Sequence, residues 1–183
     1  MGCDIHMITQ IKKDGHWQYI PEIPRRYACR WYPIFAFLAQ VRGVCKNGFI
    51  ARGLPDDLGE TRYRQWKDSN GDICYEIDFN NIDWHSHSYL TLQEIDENLM
   101  ENAPTEEPVH VPKRFLDAFY LHGGELPYGM EILSKDKTGA DIIWDSGLED
   151  YPTLCEGRDD LAEIAHKYAA TPDHIRIVFA FDS

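Results

Sequence analysis

Near the end of the chain the stretch "IRIVFAF", residues 175 to 181, reads as apolar on both faces of a period-two pattern. Such a strand must have packed material on both sides, which predicts a central place in a sheet rather than an edge. The opening of the chain supplies a candidate neighbour. Cys3, Ile5, Met7, Thr9 and Ile11 alternate to one side, and Asp4, His6, Ile8 and Gln10 to the other. Asp14-Gly15 then predicts a hairpin turn into "HWQYI".

Helical spacing follows these strands. Pro33 suits the first turn of a helix with Ile34, Phe37, Leu38 and Val41 on one stripe and Gly43 at its end. Thr91 and Glu94 form a T-x-x-E capping box ahead of Leu92, Ile95 and Leu99. Phe115, Leu116, Phe119 and Tyr120 predict a short helix stopped by Gly123-Gly124, and Leu161, Ile164, Ala165 and Tyr168 predict another over 158–169, broken by Thr171-Pro172-Asp173. "ICYEIDF" and "DIIWD" read as strands, whereas residues 44–70 and 101–112 are loop-rich, the latter an exposed connection. The expected class is α+β: one domain over residues 1–183, with a mixed or mainly antiparallel sheet and three or four helices.

Of 183 residues, 43% are hydrophobic, enough to bury one core. Cys3, Cys29, Cys45, Cys74 and Cys155 are odd in number and lack a C-x-x-C pair, which points to reduced thiols and away from a zinc ribbon. The apolar run from Trp31 to Val41 is too short to cross a bilayer, and no leader pattern opens the chain. A cytoplasmic protein that binds no membrane is therefore expected. The net charge of −13 argues against binding duplex nucleic acid, which requires cations to displace counterions. Yet residues 25–67 carry a local balance of +6, a plausible seat for a phosphate-bearing ligand, while residues 91–109 carry six carboxylates and no Lys or Arg.

Three groups of residues carry chemistry. Asp4 and His6, at i and i+2 of a strand, project from one face about 7 Å apart, which suits two ligands of one metal or a carboxylate and imidazole sharing a substrate. Asp83, His85 and His87 repeat the pattern; if extended, they share one face, and Trp84, Ser86 and Ser88 the other. Imidazoles two residues apart can reach one ion, and neighbouring carboxylates orient them. The segment from His85 to Ser88 is also read as lying just before a helix N-terminus, which favours an anion. Asp182 is the third group: if the terminal strand runs antiparallel beside the first, its carboxylate comes near Asp4. The bland readings are a capped turn, a satisfied surface histidine and a solvated terminal Asp. Cys3 faces away from His6 and cannot serve it as a nucleophile.

"MGCDIH", "RRY" leading into "PIFAFLAQVRG", "ARGLPDD", "DWHSHSYLTLQE" and "IRIVFAFDS" resemble a family of small bacteriophage and prophage proteins that has no established activity. The resemblance spans nearly the whole chain and implies a phage-encoded accessory protein in the host cytoplasm. Its marked motifs include Asp4, His6, Arg42, Arg52, Asp83, His85, Ser86 and Ser88.

P-loop, dinucleotide-fold and nucleophile-elbow signatures are absent, as is the combination of G-D and G-N-H motifs that marks calcineurin-like phosphoesterases. The leading expectation is a metal-dependent hydrolase of a nucleotide or phosphoester. Asp4, His6, His85, His87 and Asp182 form the candidate metal set for one or two divalent ions (Zn, Mn or Ni). Asp83, His85 and His87 are the catalytic candidates, with Asp83 orienting a histidine. Arg42, Arg52, Ser86 and Ser88 would bind the ligand, either arginine clamping its phosphate. The alternatives are a non-catalytic protein that sequesters a nucleotide signal, and an anti-defence inhibitor of a host protein that uses the acidic stretch to mimic nucleic acid.

Overall fold

The computed structural model describes residues 2–45, 47–59, 61–68, 71–76, 79, 81–103, 106–121, 133–145 and 151–182. The architecture is α+β, and every described strand pairing is antiparallel. Two compact units are described below by themselves, residues 1–102 with 149–183, and residues 103–148.

The larger unit is built on a four-stranded sheet. β1 (Ile5–Lys13) turns through Asp14-Gly15 into β2 (His16–Ile20), with Lys13 opposite His16. Both turn residues have positive φ, 50° and 81°, as a two-residue hairpin of this hand requires. The last strand of the chain, β8 (Ile175–Phe181), inserts between β1 and β5 (His85–Thr91), giving the order β2-β1-β8-β5. All seven β8 residues are buried, as a central strand demands.

Helices and a strap cover opposite faces of this sheet. Phe35 of α1 (Tyr32–Ala39) packs edge-on against Phe181, with ring centroids 5.0 Å apart. The helix is buried almost all round and ends at Ala39, with Gln40 left-handed at φ 57°; Gly43 lies beyond its end, a correction to the expected stop. α2 (Leu92–Glu101) opens with the capping box, and α4 (Tyr151–Lys167) begins well before residue 158. Tyr27 joins α1 to α4, tilted against Phe37 and donating from its hydroxyl to the Leu154 carbonyl. On the other face Ile8, Val178, Ala180 and Phe79 form a second cluster under Leu54 and Leu58 of the 51–59 segment.

A separate ribbon, β3 (Arg62–Asp68) with β4 (Gly71–Glu76), occupies part of the stretch read as loop. The smaller unit holds β6 (Glu106–Val111) paired with β7 (Ala140–Asp145), and α3 (Leu116–Leu121). β6 corrects the expected connection over 101–112. Pro108 is tolerated there because a strand paired on one side only need not donate every N–H to a ladder. Gly123 and Gly124 lie outside the described residues.

Candidate functional site

The site lies at the end of the sheet where β1 begins and β8 ends. Ile5 is opposite Phe181, so the residues flanking this pair meet across the strands. Asp182 Oδ1 accepts the backbone N–H of Asp4 at 2.9 Å, and its Oδ2 lies 3.0 Å from His6 Nε2. This places the terminal carboxylate beside Asp4, from the antiparallel pairing of the two strands. The His6 hydrogen bond, joined by the Asp4 N–H, holds the Asp182 carboxyl below its ordinary value, against the opposing effect of partial burial. The Trp84 indole stacks on the His6 ring, with centroids 4.0 Å apart and planes 11° from parallel. The imidazole is thus fixed in both position and tilt.

A polar recess of about 670 Å³ opens beside this pair, lined by Asn81, Ile82, Asp83, Trp84, His85 and Asp182. Asn81 Oδ1 accepts the Asp83 N–H at 3.0 Å, a local turn that presents the Asp83 carboxylate outward. Ile82 is 95% exposed at its rim. The Arg30 Nε lies 3.4 Å from Asp4 Oδ1.

The histidines of β5 do not share a face. His85 is opposite Phe181 and Ser88 opposite Phe179, so β5 spends three steps where β8 spends two. The extra residue is accommodated at Ser86, left-handed at φ 51°, in a β-bulge that reverses the alternation. His85 therefore stacks toward Phe181, ring centroids 6.2 Å apart, on the helix-covered face, with Ser86 Oγ 3.0 Å from its Nδ1. His87 turns to the opposite face against Phe79, where its Nε2 is shut off from solvent and bonds to no described residue. The expectation of Asp83, His85 and His87 on one extended face is corrected by this single bulge. A second correction concerns the helix N-terminus. Thr91, the N-cap of α2, is six residues beyond His85, about 20 Å along an extended strand, so the histidines are at the far end of β5 from it.

Arg52 and Ser88 meet away from the recess. The Arg52 guanidinium forms a paired contact with Glu94, 2.6 and 2.9 Å, and lies 3.8 Å over the Tyr89 ring. Ser88 is fully buried, with Oγ 3.4 Å from the Arg52 N–H. Burial raises the Glu94 carboxyl, but the Arg52 and Thr91 hydrogen bonds outweigh it and leave the group below its ordinary value. Arg42 is in the turn after α1, left-handed at φ 58°.

The structure thus brings together Asp4, His6 and Asp182, with Asp83 and His85 lining the adjoining recess. His87, Ser88 and Arg52 fall elsewhere. Among the described residues no three His, Cys, Asp or Glu side chains are grouped to hold a metal ion. Trp84, Asn81 and Arg30 are not among the candidates that the sequence marks. Only Trp84 carried a signal, its place opposite His85 in the alternation.

The sequence does not mark Arg176 either. It is 2% exposed, donates from Nε to Gln10 Oε1 at 2.9 Å and from its terminal nitrogens to Asp57 Oδ1 and O at 2.8 Å each, and stacks over Trp17. With the Gln10 amide donating to the Leu58 carbonyl, it ties the 51–59 strap to the sheet. No described helix is long and apolar enough to cross a membrane. Compared with known protein families, curated proteins and solved structures, the chain matches none.

Proposed function

We propose that this protein hydrolyses a nucleotide or another small phosphoester at the recess beside His6 and Asp182. The observation that carries the reading is the 3.0 Å contact between His6 Nε2 and Asp182 Oδ2 at the edge of a polar recess. A carboxylate that accepts from Nε2–H fixes the tautomer and leaves the Nδ1 lone pair as the base. His6 then takes a proton from a water as its oxygen attacks phosphorus, and Asp182 stabilises the imidazolium that results. The proton passes on to the departing oxygen.

The recess is acidic, with Asp83 and Asp182 on its wall, and a bare phosphate would be repelled. A divalent ion brought with the substrate offsets this charge. Hard cations are commonly held by one or two carboxylates together with substrate phosphates and water, so such an ion needs no three-residue protein cage. Of the ions expected from the sequence, Mn²⁺ suits this oxygen-rich setting better than Zn²⁺ or Ni²⁺. The resemblance of "MGCDIH" and its companion motifs to phage proteins supports a phage-encoded accessory role in the host cytoplasm.

The test is incubation of the full chain with linear and cyclic nucleotides, with and without Mn²⁺ or Mg²⁺, followed by product detection. Turnover that disappears in His6→Asn while the fold persists supports the reading. Nucleotide that is bound but returned intact under every condition overturns it in favour of sequestration.

A further inference from the structure

We propose that Arg30 is the phosphate-binding residue of this site, and that Gly2 is the position that makes room for it. The inference rests on the hydrolytic reading of the His6–Asp182 pair and supplies the cation which that pair lacks. The basic window in the sequence suggested Arg42 or Arg52 for this role. In the structure Arg52 is committed through both terminal nitrogens to Glu94 and stacked on Tyr89. Arg26 is bonded to Glu156 at 2.9 Å, Arg158 to Asp96 and Asp159, and Arg176 is buried against Asp57.

Arg30 differs in place and in engagement. It is joined to the catalytic pair through two contacts: its Nε is 3.4 Å from Asp4 Oδ1, and the Asp4 N–H donates to Asp182. Its side chain is 51% exposed, and the ion pair uses Nε through one long contact. Its Nη2 packs against Gly2, which leaves Nη1 to give a charge-assisted hydrogen bond to a phosphate oxygen. A Cβ added at Gly2 would overlap the Arg30 guanidinium, so the absence of a side chain there lets Arg30 lie against the residues that precede β1. Asp4 serves as a positioning residue, holding Nε toward the site while its backbone N–H orients Asp182.

Inorganic phosphate and a nucleoside monophosphate are titrated into the ¹⁵N-labelled full chain while the Arg30 Nε–H and Trp84 indole N–H resonances are followed. Arg30→Gln should weaken phosphate affinity tenfold or more. Gly2→Val, which keeps the arginine but takes its space, should weaken it severalfold, and Arg26→Gln should leave it unchanged. The idea is overturned if Arg30→Gln binds as wild type does, if Arg52→Gln weakens binding while Arg30→Gln does not, or if millimolar phosphate leaves the Arg30 signal in place. Failure of the hydrolytic reading gives a different result: phosphate affinity that depends on Arg30, with no nucleotide turned over.

Discussion

His6 Nε2 lies 3.0 Å from Asp182 Oδ2 although 176 residues separate them in the chain. The contact exists because β1 and β8 pair with Ile5 opposite Phe181, which puts the residue after each of them on the same face at the sheet end. Its energetics are linked to pH. Asp182 is held below its ordinary value of 3.8, so its contribution to stability is full above about pH 4 and fades as pH falls through the lower folded value. Asp182→Asn should therefore cost about 0.5–1 kcal/mol at pH 7, a modest figure because the carboxylate is part-exposed, and much less near pH 2. Urea unfolding of both proteins at the two pH values measures the difference; an equal cost at both would show that the charge plays no part.

Asp57 is the counterion of the buried Arg176, whose hydrogen bonds hold the Asp57 carboxyl below its ordinary value. Asp57→Ala leaves a buried guanidinium without its charged partner and also removes the acceptor of the Trp17 indole N–H. The expected loss is about 2–4 kcal/mol, toward the lower end if water reaches the exposed Asp57 side. Chemical denaturation checks it, and a loss under about 0.5 kcal/mol would mean that the strap is held by Leu54 and Leu58 alone.

Ser86 holds the bulge at φ 51°, a conformation that costs a non-glycine residue about 1 kcal/mol. Ser86→Gly should raise the melting temperature by a few degrees, less whatever the lost Oγ contact to His85 contributed. Ser86→Val should lower it, because a β-branched residue resists the left-handed region. Differential scanning calorimetry ranks the three; Val equal to wild type would place the bulge elsewhere.

In the smaller unit His110 is bonded at both ring nitrogens to acceptors, Nδ1 to Asp141 Oδ1 at 2.8 Å and Nε2 to the Lys137 carbonyl at 2.9 Å. Two acceptors require two protons on the ring, and these bonds, Asp141 foremost, raise the imidazole above its ordinary 6.5. The stabilisation is therefore present in full below about pH 6.5 and lost as pH rises through the higher folded value. Amide hydrogen exchange in residues 133–141, corrected for intrinsic rates, should accelerate between pH 6 and pH 9 in wild type. His110→Gln should abolish that pH dependence.

Local chemistry made much of the fold legible. The two-faced apolar run of residues 175–181 could be only a central strand, Asp14-Gly15 only a tight hairpin, and Thr91 with Glu94 only a helix start. Each depends on neighbours within a few residues, and the structure has all three. The meeting of Asp4 with Asp182 was legible too, once the two end strands were taken as antiparallel partners.

What the tertiary structure decided is which faces and which charges meet. One left-handed residue, Ser86, reverses the alternation of β5 and sends His85 and His87 to opposite sides, and nothing in "HSHS" marks the position of the extra residue. The strand at 106–111 lay hidden behind Pro108 because pairing with β7 offsets a weak local preference. The arginines of the basic window could not be ranked from the sequence, since Glu94 and Glu156 neutralise Arg52 and Arg26 only after folding, and Arg30 is distinguished only by lying across Gly2 beside Asp4. Hairpins and caps are determined by contacts between near neighbours in the chain, whereas strand register and ion pairing are determined by the packing of the whole sheet, which no short window of residues contains.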